Sequence, residues 1–271
     1  MGLVLARAPA RAQSAPGGRA QVYSVTEASF TVPQVKLADA AVARRINRVL
    51  LRHLVEETVD STASAHRQLR QAALACCYDQ ENHQWMASGM GYSGTSYKVL
   101  LNQGYLLSFE FHKDYNGLEW PAQDWHLTFD LRTGRVLTLA DVVADPPAQL
   151  DRRLGWAVDR RLKDELAKVA ETYGDSSIVA HVADLYGLSD WITPTTPVAP
   201  GDTAADESGT RFKLLDFALR PHALLLFHAV DMGRFDFPFL PDPTYTFPYA
   251  RLRPRGLLVP LAKAAALTKS K

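Results

Sequence analysis

Tyr97-Lys98-Val99-Leu100-Leu101-Asn102-Gln103-Gly104-Tyr105-Leu106-Leu107-Ser108-Phe109-Glu110-Phe111 reads as strand, tight turn and strand. Two runs rich in aliphatic and aromatic residues flank a short Asn-Gln-Gly break, the local signature of a β-hairpin. His112 to Asp124 follows as a loop carrying Tyr115, Trp120 and a Gly-and-Pro break. Trp125 to Leu131 returns as a strand, Arg132-Thr133-Gly134-Arg135 turns the chain, and Val136 to Leu139 continues it. Together these segments predict an antiparallel meander.

Helices flank the meander. Asp39 is placed to cap a helix in which Val42, Ile46, Val49, Leu50 and Leu54 recur at three- and four-residue steps, expected to run to about Asp60. Burying each such side chain is worth about 1.5–3 kcal/mol, so the stripe requires a partner surface. Asp145-Pro146-Pro147 opens a second, longer helix with Leu150, Leu154, Ala157, Val158, Leu162, Leu166 and Val169 in period. Ile178 to Leu188 predicts a further short helix. Gln21 to Val35 supplies a first strand-like element. Phe212 to Leu219 and Leu224 to Val230 predict a late hairpin, and Tyr245 to Leu252 a last strand. The class is α+β: antiparallel hairpins packed against two long amphipathic helices. The expected division is a leader over residues 1–20, an N-terminal lobe over 21–122 and a C-terminal lobe over 123–262 of one compact unit. A mobile Pro-, Thr- and acid-rich loop is expected at 193–210 and a frayed tail at 263–271.

Bulk composition narrows the function classes. The 271 residues carry 30 basic and 29 acidic side chains, which gives no electrostatic reason to expect a nucleic-acid partner. No run of eighteen apolar residues is present, so no membrane-spanning segment is expected. Near the start, Ala10-Arg11-Ala12 before Gln13 follows a short apolar patch and has the small-x-small form of a secretory cleavage site. The expected location is therefore secreted or periplasmic. Cys76 and Cys77 are adjacent and read as small side chains near a helix end.

Several stretches carry chemically suggestive residues. Gly89-Met90-Gly91-Tyr92-Ser93-Gly94 matches G-x-G-x-x-G, but the next segment is a strand and not the helix that dinucleotide binding needs. No cofactor is expected. Asp79, Glu81 and His83 alternate and would share a face if extended. His112, Asp114, Asp124 and His126 stand at the two ends of one loop, where two imidazoles and two carboxylates could hold a divalent metal; a solvated loop mouth is the simpler reading. Tyr115, Asn116, Gly117, Glu119 and Trp120 combine aromatic faces with hydrogen-bonding groups and form the expected ligand-contact set, against the plainer reading that Trp120 covers a sheet edge and Trp125 starts a core strand. The stretch from Phe235 to Tyr245 is a second aromatic candidate, with edge-covering packing as its default.

The order of these elements resembles a known family. Tyr97 and Val99, Asn102, Leu106 to Phe109, Tyr115 and Gly117 carry the likeness in the first hairpin. Thr128 to Leu131, Thr133-Gly134, Leu137 to Leu139 and Asp141-Val142 continue it, as do Phe227 and Phe247-Pro248-Tyr249. From about Tyr23 to Leu261 the chain resembles the extracellular region shared by the RsiV anti-sigma factor and the accessory part of PdaC polysaccharide deacetylases. The resemblance implies a secreted or membrane-tethered recognition domain, with lysozyme as the partner of the RsiV version. The loop departs from the family pattern: Tyr115-Asn116-Gly117-Leu118-Glu119-Trp120-Pro121 lacks the family's second glycine and its histidine, so the family's ligand preference is not carried over. The anti-sigma and deacetylase segments find no match in this chain.

The expected function is a non-catalytic extracytoplasmic binding module for a cell-envelope glycan or protein. One alternative is an envelope polysaccharide hydrolase working through Glu119, Asp114 or Asp124, which would need two carboxyls about 5–10 Å apart across a cleft. A purely structural envelope protein is the other.

Overall fold

The computed structural model describes residues 18–54, 63–85, 91–116, 123–188, 212 and 214–268. The quoted stretch forms β5 (Gly91–Gln103) and β6 (Leu106–Asn116), paired antiparallel from Gln103↔Leu106 to Gly91↔Asn116. Its turn is Gly104-Tyr105, shifted from the expected Asn102-Gln103-Gly104. Both turn residues have positive φ, 62° and 63°, the hairpin geometry whose twist matches that of the strands. Glycine adopts this freely and tyrosine does not. Two backbone bonds hold Tyr105 there: its N–H donates to Gly18 O at 2.9 Å, and its carbonyl accepts from Leu131 N at 2.8 Å. Asn102, left in the strand, clamps the N-terminal segment instead. Its Oδ1 accepts from Ala20 N at 2.9 Å and its Nδ2 donates to Ala20 O at 2.8 Å.

The expected element at Gln21 to Val35, strand-like on both sides of a polar interruption, is a hairpin, β1 (Gln21–Glu27) and β2 (Phe30–Lys36). With β7 (Gln123–Asp130) and β8 (Arg135–Val136) these strands build a six-stranded sheet in the order β1-β2-β5-β6-β7-β8. β2 meets β5 in parallel at Phe30↔Thr95, a departure from the antiparallel expectation. There Thr95 Oγ1 accepts from Thr31 N and donates to Thr31 O, both at 3.0 Å. β3 (Tyr78–Asp79) and β4 (Gln84–Trp85) form a small ribbon of their own. The late hairpin is β9 (Phe217–Arg220) and β10 (Ala223–Phe227), and β11 (Thr244–Pro248) completes a three-stranded sheet in the order β11-β10-β9.

Asp39 caps α1 (Ala40–Leu54) as the sequence predicts, its Oδ1 accepting from Ala41 N at 2.8 Å and Val42 N at 3.1 Å. The expected extension to Asp60 lies outside the described residues. Ser64 caps α2 (Ala65–Cys77), and Cys76 and Cys77, read from the sequence as lying near a helix end, are its last two residues. α3 (Leu139–Val142) is one turn, and α4 (Pro147–Tyr173) is the long predicted helix. Proline at its first position and left-handed Gly174 after its end delimit α4. α5 (Ser176–Leu185) starts at Asp175, which accepts from Ser177 N at 2.8 Å. α6 (Leu258–Thr268) occupies much of the expected frayed tail, because Ala265 is buried against the core.

The pleat of β6 divides the interior in two. Leu107, Phe109 and Phe111 point to one face and join Phe129 of β7 with Ile46 and Leu50 of α1 and Leu69 of α2. Leu106, on the opposite face, joins Leu150, Leu154, Val158 and Leu162 of α4, Leu224 of β10 and Tyr245 of β11. A lobe boundary at 122/123 therefore falls inside the six-stranded sheet, which β7 and β8 complete. The Phe-Asp-Leu-x-Thr-Gly turn packs onto α1. Gly134 has φ 72°, and a Cβ there would stand 3.0 Å from Val42 O. Among the described residues no helix is long and apolar enough to cross a membrane.

The two sheets are joined by a polar contact. Buried Ser108 Oγ lies 2.9 Å from buried Thr128 Oγ1 and accepts from Leu219 N of β9 at 3.0 Å. Ser108→Ala leaves that amide without its acceptor and is expected to cost about 1–3 kcal/mol in urea unfolding. Thr128→Val, which spares the amide bond, is expected to cost less.

Candidate functional site

Of the expected contact set, Tyr115 and Asn116 lie at the end of β6, paired in register with Tyr92 and Gly91 of β5. Gly117, Glu119 and Trp120 fall outside the described residues. The described residues include the strand ends on either side of them. Even-numbered β6 residues and their β7 partners share the sheet face opposite Phe109, and strand pairing sets them in rows. One row is Lys98, Glu110 and His126; the next is Ser96, His112 and Asp124. The second row lines a hollow of about 380 Å³ together with Lys98 and Glu110.

His112 is held on both sides. Nδ1 lies 2.6 Å from Asp124 Oδ1 and Nε2 3.2 Å from Asp114 Oδ1. Making both bonds requires a proton on each nitrogen, so the arrangement favours the imidazolium. The bond to Asp124 is the main cause that raises the His112 pKa, partial burial opposes it, and the charges of Asp124 and Asp114 add to the rise. In the neighbouring row His126, with its side chain only 2% exposed, points Nδ1 at Asp216 at 3.0 Å and stacks flat on Phe227, 3.6 Å between ring centres. Its Nε2 stands 3.6 Å from Glu110 Oε2, and Glu110 Oε1 accepts from Lys98 Nζ at 2.8 Å. Burial pulls the Glu110 pKa upward, but the bond and charge of Lys98 outweigh it and hold the carboxyl low.

The four residues weighed as metal ligands thus share one face but not one centre. His112 is spent on two aspartates and His126 on Asp216. Among the described residues no three His, Cys, Asp or Glu side chains are placed to hold a metal ion. Of the carboxylates named for the hydrolase alternative, Asp114 and Asp124 both grip one imidazole, and Glu119 lies outside the described residues. Asp79 closes its own turn, Oδ1 accepting from Glu81 N at 2.9 Å and Asn82 N at 3.1 Å, so the extended alternation with His83 does not form. Trp125 stacks on Phe111 at 5.2 Å in the first core, its plainer reading.

A second surface escaped the sequence reading. A groove of about 1210 Å³ runs between α4 and β11, lined by Arg153, Trp156, Arg160 and Arg161 of the helix, by Thr246 of the strand and by Arg251 beyond it. Trp156 is 74% exposed. It lies two residues from both Leu154 and Val158, on the side of α4 away from the buried stripe. The available signal was a tryptophan on the polar face of an amphipathic helix, three and four residues from Arg153 and Arg160. Arg161 braces the groove: its guanidinium lies 4.3 Å over the Tyr245 ring and donates to Thr244 O at 2.7 Å and Asp242 O at 2.5 Å. The Phe235 candidate stretch is a 3₁₀ turn (Arg234–Phe239) fixed to α5. His181 Nε2 meets Asp236 at 2.8 Å and Tyr186 Oη donates to Phe239 O at 2.6 Å, while Phe235 itself is 93% exposed.

No family model and no curated protein matches the chain. Structural neighbours are DUF3298 family proteins. One, from Pseudomonas aeruginosa PAO1, aligns with a TM-score of 0.42 at 15% identity, over 88% of this chain and 93% of its own. Another, from Bacteroides fragilis NCTC 9343, aligns with a TM-score of 0.44 at 14% identity, over 94% and 98%.

The His112 knot has a measurable titration. Its folded pKa is raised, so its stabilisation is complete below the unfolded value of about 6.5 and is lost as pH rises through the folded value. With a side chain 38% exposed, screening limits the effect to below about 1 kcal/mol. NMR titration of the imidazole is expected to show a midpoint above 6.5 that falls in Asp124→Asn.

Proposed function

We propose that the chain is a non-catalytic recognition module working outside the cytoplasm, and that it takes a cell-envelope glycan or protein in the groove between α4 and β11. The observation that carries this reading is Trp156, a large apolar side chain held in solvent on a 27-residue helix with Arg153 and Arg160 beside it. Tryptophan and arginine are the residue types that dominate binding energy at interfaces, and a rigid helix presents them at little ordering cost. The secretory pattern at Ala10-Arg11-Ala12 and the resemblance to the RsiV and PdaC extracellular region support the location. The segment from Tyr115 to Trp120 stays in the proposal as a second contact surface. Its strand ends are anchored by His112, Asp114 and Asp124, a framing role for those carboxylates.

Immobilised protein exposed to purified cell-wall sacculi and to envelope extract tests the reading. A defined partner is expected whose retained amount falls at least about tenfold in Trp156→Ala, the loss typical of an interface anchor. The melting temperature should hardly move, since exposed substitutions stay within about 0.5 kcal/mol. Equal capture by wild type and variant overturns the groove. Equal loss in Trp120→Ala would show that the loop shares the contact.

A further inference from the structure

We infer that the α4–β11 groove receives an extended peptide segment bearing acidic side chains, added as a fourth strand beside β11; this rests on the groove being a recognition surface. β11 is the outer strand of its sheet. Its inward groups are identified by their bonds: Pro243 O accepts from His228 N at 2.9 Å, and Tyr249 N donates to His222 O at 3.2 Å. Alternation along the strand then turns Thr244, Thr246 and Pro248 outward. Thr244 is already served, its N–H donating to Asp242 Oδ1 at 2.8 Å and its carbonyl accepting from Arg161. Exposed Thr246 presents an N–H and a carbonyl to the groove, whereas the Pro248 carbonyl is taken by the first bond of the 3₁₀ turn Tyr249–Arg251. That donor and acceptor pair is what an incoming strand bonds to. Arg161 stops the added strand at Thr244 and the 3₁₀ turn stops it at Pro248, so the backbone bonds to β11 centre on Thr246.

Charge selects the occupant. Five cationic and two acidic side chains line the groove. Arg153 is neutralised by buried Asp145 at 3.0 Å, so the free charge beside Trp156 comes from exposed Arg160 and Arg251. The acidic pair, Asp164 and Glu165, lies about two turns further along α4. Asp164 approaches Arg160 only to 3.9 Å, with both side chains in solvent. A strand leaving the Thr246 edge toward Pro248 thus meets guanidinium groups and a flat indole face. Acidic residues alternating with apolar ones satisfy both.

The test uses the full chain and a synthetic peptide alternating valine and glutamate, titrated by calorimetry at low salt. Binding is expected to weaken about tenfold in Thr246→Pro, which removes one outward N–H without touching the β10 pairing and so deletes about one hydrogen bond's worth of affinity. A similar loss is expected when alternate peptide amides are N-methylated, and a larger one when glutamate is replaced by lysine. Trp156→Ala and Arg160→Glu should each weaken the unmodified peptide. Equal binding of the N-methylated or lysine peptide overturns the inference. So does binding of polygalacturonate in place of the peptide, which would mark an anionic-glycan groove. If neither probe binds while envelope capture still depends on Trp156, the strand-addition inference falls and the recognition reading stands.

Discussion

A hydroxyl at Ser108 makes the buried polar tie between the six-stranded and the three-stranded sheet. A sheet covered on both faces needs its second face to accept another layer, and here that layer arrives edge-on as β9. An arriving strand edge brings backbone N–H groups that an all-apolar surface would leave unsatisfied at a cost of a few kcal/mol. Ser108 and Thr128 meet that need at the centre of the seam. Toward solvent the same rows become ionic, Glu110 with His126 and then His112 with Asp124. The polar residues at this end of the sheet are thus the outer continuation of a packing solution, and their pairing accounts for the residues that looked like ligands.

Much of this was legible in the one-dimensional pattern. Alternation in Leu107, Phe109 and Phe111 marked a strand with one apolar face, and the spacing from Leu150 to Val169 marked α4. Of α2 only the end at Cys76 and Cys77 was read, because Leu69 and Ala73, buried among its described side chains, do not by themselves set a period. The turn at Gly104-Tyr105 was misplaced because Asn102 looks like a turn residue; its amide instead serves Ala20, a partner 82 positions away. Long-range demands of that kind leave no local trace. The part of α6 from Lys263 onward was read as tail because one lysine among alanines sets no pattern, and docking on the second core orders it.

The candidate site was partly legible for the same reason. Sequence reasoning gathered aromatic and polar residues that are neighbours along the chain, and so reached the segment after Tyr115. The groove draws on α4, β11 and Arg251, segments almost a hundred residues apart, which only the fold brings together. A helix also offers what a loop lacks, since the indole of Trp156 is positioned by a rod whose opposite face is buried along its length.

The clamp between Asn102 and Ala20 bears on how the chain assembles. β5, β6 and β7 are consecutive hairpins that need only short excursions to pair. The β1–β2 ribbon must instead wait for β5 to exist and then enclose α1 and α2 within the loop that Asn102 seals. The entropy of closing such a loop grows only logarithmically with its length, yet it falls due before the contacts that offset it. The central meander is therefore the natural nucleus. The amino-terminal ribbon is the last piece to lock and, under mechanical pulling from that end, the first to peel away.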